Sequence, residues 1–162
     1  MAKCKVEGTG DYLKKLSTLN GKASAAIIKQ GVFDGAAVIA DEVRKQIDAI
    51  PRETERKSKS GTLDGVNDRQ RKGLLEGLSL LTMENKNGYI HTKISFIGYN
   101  EIVTAKWTNG QPNAMIARSV EKGTSFMKPH PFRKKAIAAA KEKAVEAIGK
   151  RIDFEISKIF TD

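Results

Sequence analysis

The chain has 162 residues, enough for one ordinary domain with a real core, and 40% of them are apolar. Only 6% are aromatic, so the core must rest on Ala, Ile, Leu and Val, a composition that suits helices better than a large sandwich. The formal net charge of +10 favours polyanionic partners, while the single cysteine, Cys4, excludes an intrachain disulfide and a cysteine-based zinc site and implies a reducing compartment.

The first element is read as a long helix over about Tyr12 to Ile50. Tyr12, Leu16, Leu19, Ala23, Ala26, Ile27, Phe33, Ala37, Ala40, Val43 and Ile47 recur mostly at steps of three and four, the period of one helical face. Asp11 is placed to cap its start, and Pro51 closes its end by pushing the preceding residue out of helical angles. Gly21, Gly31 and Gly35 each weaken an isolated helix by roughly 1 kcal/mol relative to alanine. They therefore predict a break or close packing against a neighbour, and close packing is the preferred reading.

Residues Arg52 to Ser60 contain nothing apolar and read as an exposed basic loop ending at Gly61. A short helix is expected at about Leu74 to Met83. From Gly88 to Tyr99 the pattern changes to alternation, with Ile90, Thr92, Ile94 and Phe96 on one face, and a strand is expected. Glu101 to Thr108 reads as a second strand, Asn109-Gly110 as a turn, and Met115 to Val120 as a third extended segment. The last helix is expected to start at Pro131, where a missing amide costs nothing. Its stripe is Ile137, Ala140, Ala144, Ile148, Ile152, Ile156 and Ile159. The expected fold is a single α+β domain over residues 1–162. It comprises a long N-terminal helix, a short helix, a small antiparallel sheet of two to four strands, and a long C-terminal helix packed on one sheet face.

A search for catalytic chemistry finds no constellation. His91 and His130 lack ligand or base companions at useful spacing, no glycine-rich phosphate loop is present, and Asp41-Glu42 point in different directions on a helix. No catalytic, cofactor-binding or metal residue is assigned, no cofactor is expected, and the chain is read as a non-enzyme. The N-terminal residues carry no apolar run, and no segment approaches the ~20 apolar residues of a membrane span. Positive charge concentrates between Arg118 and Lys143, with eight basic residues against two acidic ones. The candidates for facing DNA are Arg52, Arg56, Lys57, Lys59, Arg118, Lys122, Lys128, Arg133, Lys134 and Lys135.

One segment carries more than composition. Met115 to Ala136 contains Ala117, Val120, Glu121, Gly123, Thr124, Pro131, Phe132 and Ala136 in an order that resembles a family signature. That family is the small neck, minor tail or tail-completion proteins of long-tailed double-stranded DNA phages. Its pattern is an alanine, a hydrophobic residue, Glu-x-Gly-Thr, a short loop, Pro-Phe and an alanine opening the last helix. Ile50-Pro51 and Ser60-Gly61-Thr62-Leu63 are similar to the family's helix end and to the turn that follows its basic loop. Ile116 stands where the family often has tyrosine, and Glu101 to Asn113 reads as an inserted hairpin.

The resemblance implies a structural virion protein of the head–tail junction or upper tail, made and assembled in the host cytoplasm. It implies a homo-oligomeric ring, most simply a hexamer, that contacts other neck and tail proteins and lets double-stranded DNA pass. In the motif, Gly123 would permit a turn, Glu121 would accept amides or pair with a neighbouring subunit, and Phe132 would anchor the last helix. Charge alone also fits a sequence-nonspecific nucleic-acid-binding protein.

Overall fold

The computed structural model describes residues 22–53 and 62–161. Two long helices dominate it: α1 (Lys22–Asp48) and α4 (Phe132–Thr161), about 40 and 45 Å long at 1.5 Å per residue. Between them lie α2 (Asp68–Gly77), β1 (Leu78–Leu80), β2 (Glu84–Lys86), β3 (Tyr89–His91), β4 (Ile94–Phe96) and α3 (Asn113–Lys122). The fold is α+β, with two small antiparallel sheets of two strands each.

Helices α1 and α4 pack against each other along their length. The closest approach is at two glycines of α1. A Cβ on Gly35 would lie 2.5 Å from Ile148 Cγ1 and 3.0 Å from the Ala144 carbonyl oxygen. One on Gly31 would lie 3.0 Å from Ile152 Cγ1. The glycines are therefore a notch that seats α4, which explains their presence in a helix that would be stiffer without them. Gln30 and Asp34, beside the notch, meet Arg151 of α4: its Nη2 donates to Gln30 Oε1 at 3.0 Å, and its Nε lies 3.8 Å from Asp34.

The stripe expected on α1 is present toward its C-terminal end, where Ala40, Val43 and Ile47 are buried. Phe33 departs from it and is 51% exposed, because the glycines on either side of it, not Phe33, face α4. Residues 12–21 of the expected helix, with Asp11 and Gly21, lie outside the described residues. On α4, Ala140 and Ala144 are buried as expected, while Ile137 is exposed and Ala136 takes the core position one residue earlier.

Helix α2 begins at Asp68, six residues before the expected Leu74, because Asn67 and Gln70 form a capping box. Asn67 Oδ1 accepts from the Gln70 amide at 2.9 Å, and Gln70 Oε1 accepts from the Asn67 amide at 3.3 Å. The helix stops at Gly77, whose carbonyl accepts the Ile97 amide at 2.8 Å, and Leu78 onward becomes strand instead of the expected helical turn to Met83.

The expected single strand at 88–99 is two short strands. β1 pairs with β4 (Leu78 with Phe96, Leu80 with Ile94), and β2 pairs with β3 (Glu84 with His91, Lys86 with Tyr89). Residues 81–83 thus face only residues 92–93, so one hairpin carries a one-residue bulge that splits it into two ladders. Its tip is Asn87-Gly88 with φ of 53° and 86°, the positive pair that a two-residue hairpin turn needs.

Two expected strands are absent. Glu101 to Thr108 is irregular and doubles back where Thr104 and Trp107 exchange amide-to-carbonyl bonds of 3.1 and 3.0 Å. Asn109-Gly110 is a turn as expected, with φ of 95° at Gly110. Met115 to Val120 lies within helix α3, whose buried residues Asn113, Ile116, Ala117 and Val120 fall at helical spacing and leave no face for a strand partner.

The core centres on Ile47, Val66, Leu74, Val120 and Phe132, all fully buried. Helix α1 supports β1 and β3, and α4 meets the sheet where Phe132 packs edge-on against Phe96 with ring centroids 5.8 Å apart.

The notch gives opposite expectations for two glycines of the helix pair. Gly35→Leu should destabilise the protein by about 1–3 kcal/mol, because Ile148 and the α4 backbone already fill the space. Gly149→Ala, with nothing within 4 Å of its new Cβ, should stabilise α4 by about 0.5–1 kcal/mol. Urea denaturation of both variants checks the pair.

Candidate nucleic-acid and assembly interface

The family-like segment folds into an elbow between α3 and α4. Helix α3 ends at Gly123, whose φ of 73° lets its amide turn back to the Ser119 carbonyl at 2.8 Å. A Cβ there would meet the Met127 carbonyl oxygen and the Pro129 nitrogen at 3.0 Å, so both the angle and the space require glycine. Thr124 and Met127 then bond to each other through their backbones at 2.9 and 3.3 Å. The chain returns to α3 where the His130 amide donates to the Val120 carbonyl at 2.7 Å.

Pro131 stands immediately before the helix, one residue earlier than the first helical position expected for it, and its ring offers no acceptor for the first amides. Glu121 supplies one from the end of α3. Its Oε2 accepts from the Arg133 amide at 2.9 Å and its Oε1 from the Lys134 amide at 3.2 Å. The Arg133 guanidinium lies 3.4 Å from the same carboxylate. Glu121 accepts amides as expected, but those of the next helix and not those of the turn. Ala117, Val120, Phe132 and Ala136 are all buried beneath this elbow.

A second strut holds the elbow from outside. The Leu63 amide donates to Phe126 O at 2.8 Å, and the Lys128 amide donates to Leu63 O at 2.9 Å. Asp64 adds Lys128 at 3.3 Å and His130 Nε2 at 3.1 Å. The hydrogen bond from Lys128, more than the attraction of its charge, holds the Asp64 carboxyl below its ordinary value. The end of the basic loop is thereby tied to the motif segment.

Arg71, which no periodicity singles out, is 5% exposed and closes the C-terminal end of α1. Its Nη1 donates to the Ile47 and Asp48 carbonyls at 2.7 Å each, and its Nη2 donates to the Ile50 carbonyl. Three carbonyls at a helix end are satisfied by one cation, and the helix dipole adds to the attraction.

The candidate DNA-facing residues separate into groups. Arg56, Lys57 and Lys59 lie outside the described residues. Arg52 sits 3.6 Å from Asp68, Lys128 pairs with Asp64, and Arg133 pairs with Glu121. Lys122, Lys134, Lys135 and Arg118 are exposed and form no ion pair with any described residue. Arg118 and Lys122, four apart, share a face of α3, and the Glu121 contact brings that helix end against Lys134 and Lys135 in the first turn of α4.

His91 is a hairpin residue, stacked on Tyr89 with centroids 5.5 Å apart and 3.5 Å from Glu84. No group of three His, Cys, Asp or Glu residues able to hold a metal occurs among the described residues. Among them, no helix is long and apolar enough to cross a membrane. A cleft of about 430 Å³ is lined by Arg52, Glu53, Asn67, Asp68, Arg69 and Ile102, which include no histidine, cysteine or hydroxyl nucleophile. Comparison with family models, curated proteins and solved structures finds no match to this chain.

Two sets of outcomes test the elbow and the helix end. Glu121→Ala should cost about 0.5–2 kcal/mol, the usual loss of a helix cap. Arg71→Met should cost about 3 kcal/mol or more, because buried carbonyls lose their donor. Both are read by urea denaturation. The Asp64 strut should respond to acid. Its carboxyl is depressed on folding, so its contribution is complete above the ordinary aspartate range of about 4 and is lost as pH falls through the lower folded value. Hydrogen-exchange protection of the Leu63 and Lys128 amides should fall on acidification, and Asp64→Asn should remove that dependence.

Proposed function

We propose that the chain is a structural protein of a phage virion, at the head–tail junction or upper tail, where it forms a ring that joins or completes the tail and lets DNA pass. The observation that carries this reading is the block Glu121, Gly123, Thr124, Pro131 and Phe132. Its residues resemble the tail-completion family, and each has a distinct place in one elbow: a cap, a turn, a backbone clasp, a helix start and a core anchor. Such a block is an architectural motif, with its polar atoms spent on holding helices and not on a substrate.

The surface also supports assembly. Tyr89, Ile97, Tyr99 and Val103 are all more than half exposed, and they lie on the hairpin or the segment that follows it. Both ladders are two-stranded, so the hairpin offers strand edges that have no further strand among the described residues. A ring is built from heterologous contacts, in which one surface of a subunit meets a different surface of the next. Six copies is the count that the family resemblance implies, with other neck and tail proteins above and below. The role is non-enzymatic, and the protein passes through the host cytoplasm on its way into the virion.

A second reading, a sequence-nonspecific nucleic-acid-binding protein, is supported by the net charge of +10 and the unpaired cations of α3 and α4. Electron microscopy of purified virions carrying an antibody against this chain separates the two. Label at the head–tail junction or upper tail is the expected result. Virions without label would overturn the virion role and leave the second reading.

A further inference from the structure

We infer that Arg118, Lys122, Lys134 and Lys135 form a phosphate-binding face for duplex nucleic acid at the α3–α4 elbow. The inference goes beyond the ring reading and does not require it, since a single subunit carries the whole face.

The argument starts from charge that is spent and charge that is not. Glu121 is the acid nearest this surface in the chain, and its side chain is only 14% exposed. Both its oxygens are occupied, by the Arg133 and Lys134 amides and by the Arg133 guanidinium. It therefore offsets Arg133 and the positive end of α4, and leaves the four remaining cations unbalanced. Lys128, beside them in sequence, is matched by Asp64. Elsewhere on α4 the pattern differs: Lys150 pairs with Glu146 at 2.6 Å and Lys158 with Glu155 at 3.2 Å. At the elbow, by contrast, none of Lys122, Lys134 and Lys135 has an acidic residue three or four positions away, and the one that Arg118 has, Glu121, is already occupied.

The geometry suits a backbone and not bases. Arg118 and Lys122 are one helical turn apart, about 6 Å along α3. Lys134 and Lys135 begin the next helix, which Glu121 holds against that end. Three of the four are lysines, compact point charges without the planar fork that reads a guanine edge. The arrangement fits sequence-blind contact with the phosphates of a duplex.

The test is fluorescence anisotropy of the full chain with a labelled duplex of about 30 base pairs, in two unrelated sequences, between 50 and 200 mM salt. Four phosphate contacts predict a log–log salt slope of about −3.6, or an affinity loss of about 150-fold over that range. The double variant Lys134→Gln/Lys135→Gln should halve the slope and reduce the loss to about 12-fold. The double variant Lys150→Gln/Lys158→Gln should keep the parental slope, and circular dichroism and urea midpoints confirm that each variant is folded. A flat salt response, a preference for one of the two sequences, or a Lys134/Lys135 variant with the parental slope would overturn the inference. Virion labelling is independent of all three results, so failure of this face and failure of the virion reading are distinguishable.

Discussion

The close approach of α1 and α4 at Gly31 and Gly35 is the constraint on which the other contacts depend. Two long helices with a thin seam gain little from scattered contacts; they gain when backbones come near enough for many atoms to meet at van der Waals distance. Here the absence of two side chains lets Ile148, Ile152 and the α4 backbone settle against α1. The polar contacts of Arg151 with Gln30 and Asp34 add register, but exposed pairs of that kind contribute little energy. Once α4 is seated, the other half of α1 is held at a fixed distance from Phe132, and the core residues Val43, Ile47, Leu74 and Val120 fill the space between.

The ends of these helices then become the problem. Helix α1 stops just before Pro51 with terminal carbonyls that have no partner within the helix. Arg71 serves them instead, and in doing so fixes α2 against the end of α1. Helix α4 starts after a proline with amides that need an acceptor, and Glu121 provides it while fixing α3 against the start of α4. The two charged residues do the same job at opposite poles: each satisfies the backbone of a long helix and ties down the neighbouring short one. The net effect is that both short helices and the hairpin between them are positioned by the termini of the α1–α4 pair.

The sequence disclosed the parts of this that depend on repetition. Val43 and Ile47 on α1, and Ala140 and Ala144 on α4, recur at helical spacing because one face of each helix is buried over several turns. It was less clear where small residues do the packing. Phe33 looked like core and is not, whereas Gly31 and Gly35 beside it are the close-packed contact that their place in the helix suggested. The segment Met115 to Val120 is short enough for alternation and helical spacing to compete, and the burial of Ile116, Ala117 and Val120 decides for the helix. The start of α2 was hidden because its box is built from Asn67 and Gln70 in place of the commoner serine and glutamate. Arg71 carried no signal, since a buried cation whose partners are main-chain carbonyls leaves no pattern in side chains. Glu121 was recognisable as an acceptor of amides, and only the fold shows that the amides belong to the next helix.

Charge illustrates the same division between what composition states and what packing decides. A net charge of +10 says that anions will be attracted, and nothing about where. The fold distributes that excess unevenly, by pairing Lys128, Arg133, Lys150 and Lys158 and leaving the elbow cations without a counterpart among the described residues. The exposed apolar residues Tyr89, Ile97, Tyr99 and Val103 belong to a different stretch, the hairpin and its exit. One set is suited to a polyanion and the other to a protein surface. Because they are built from separate segments, a change that neutralises the first need not disturb the second, as an assembly protein that touches both kinds of partner would require.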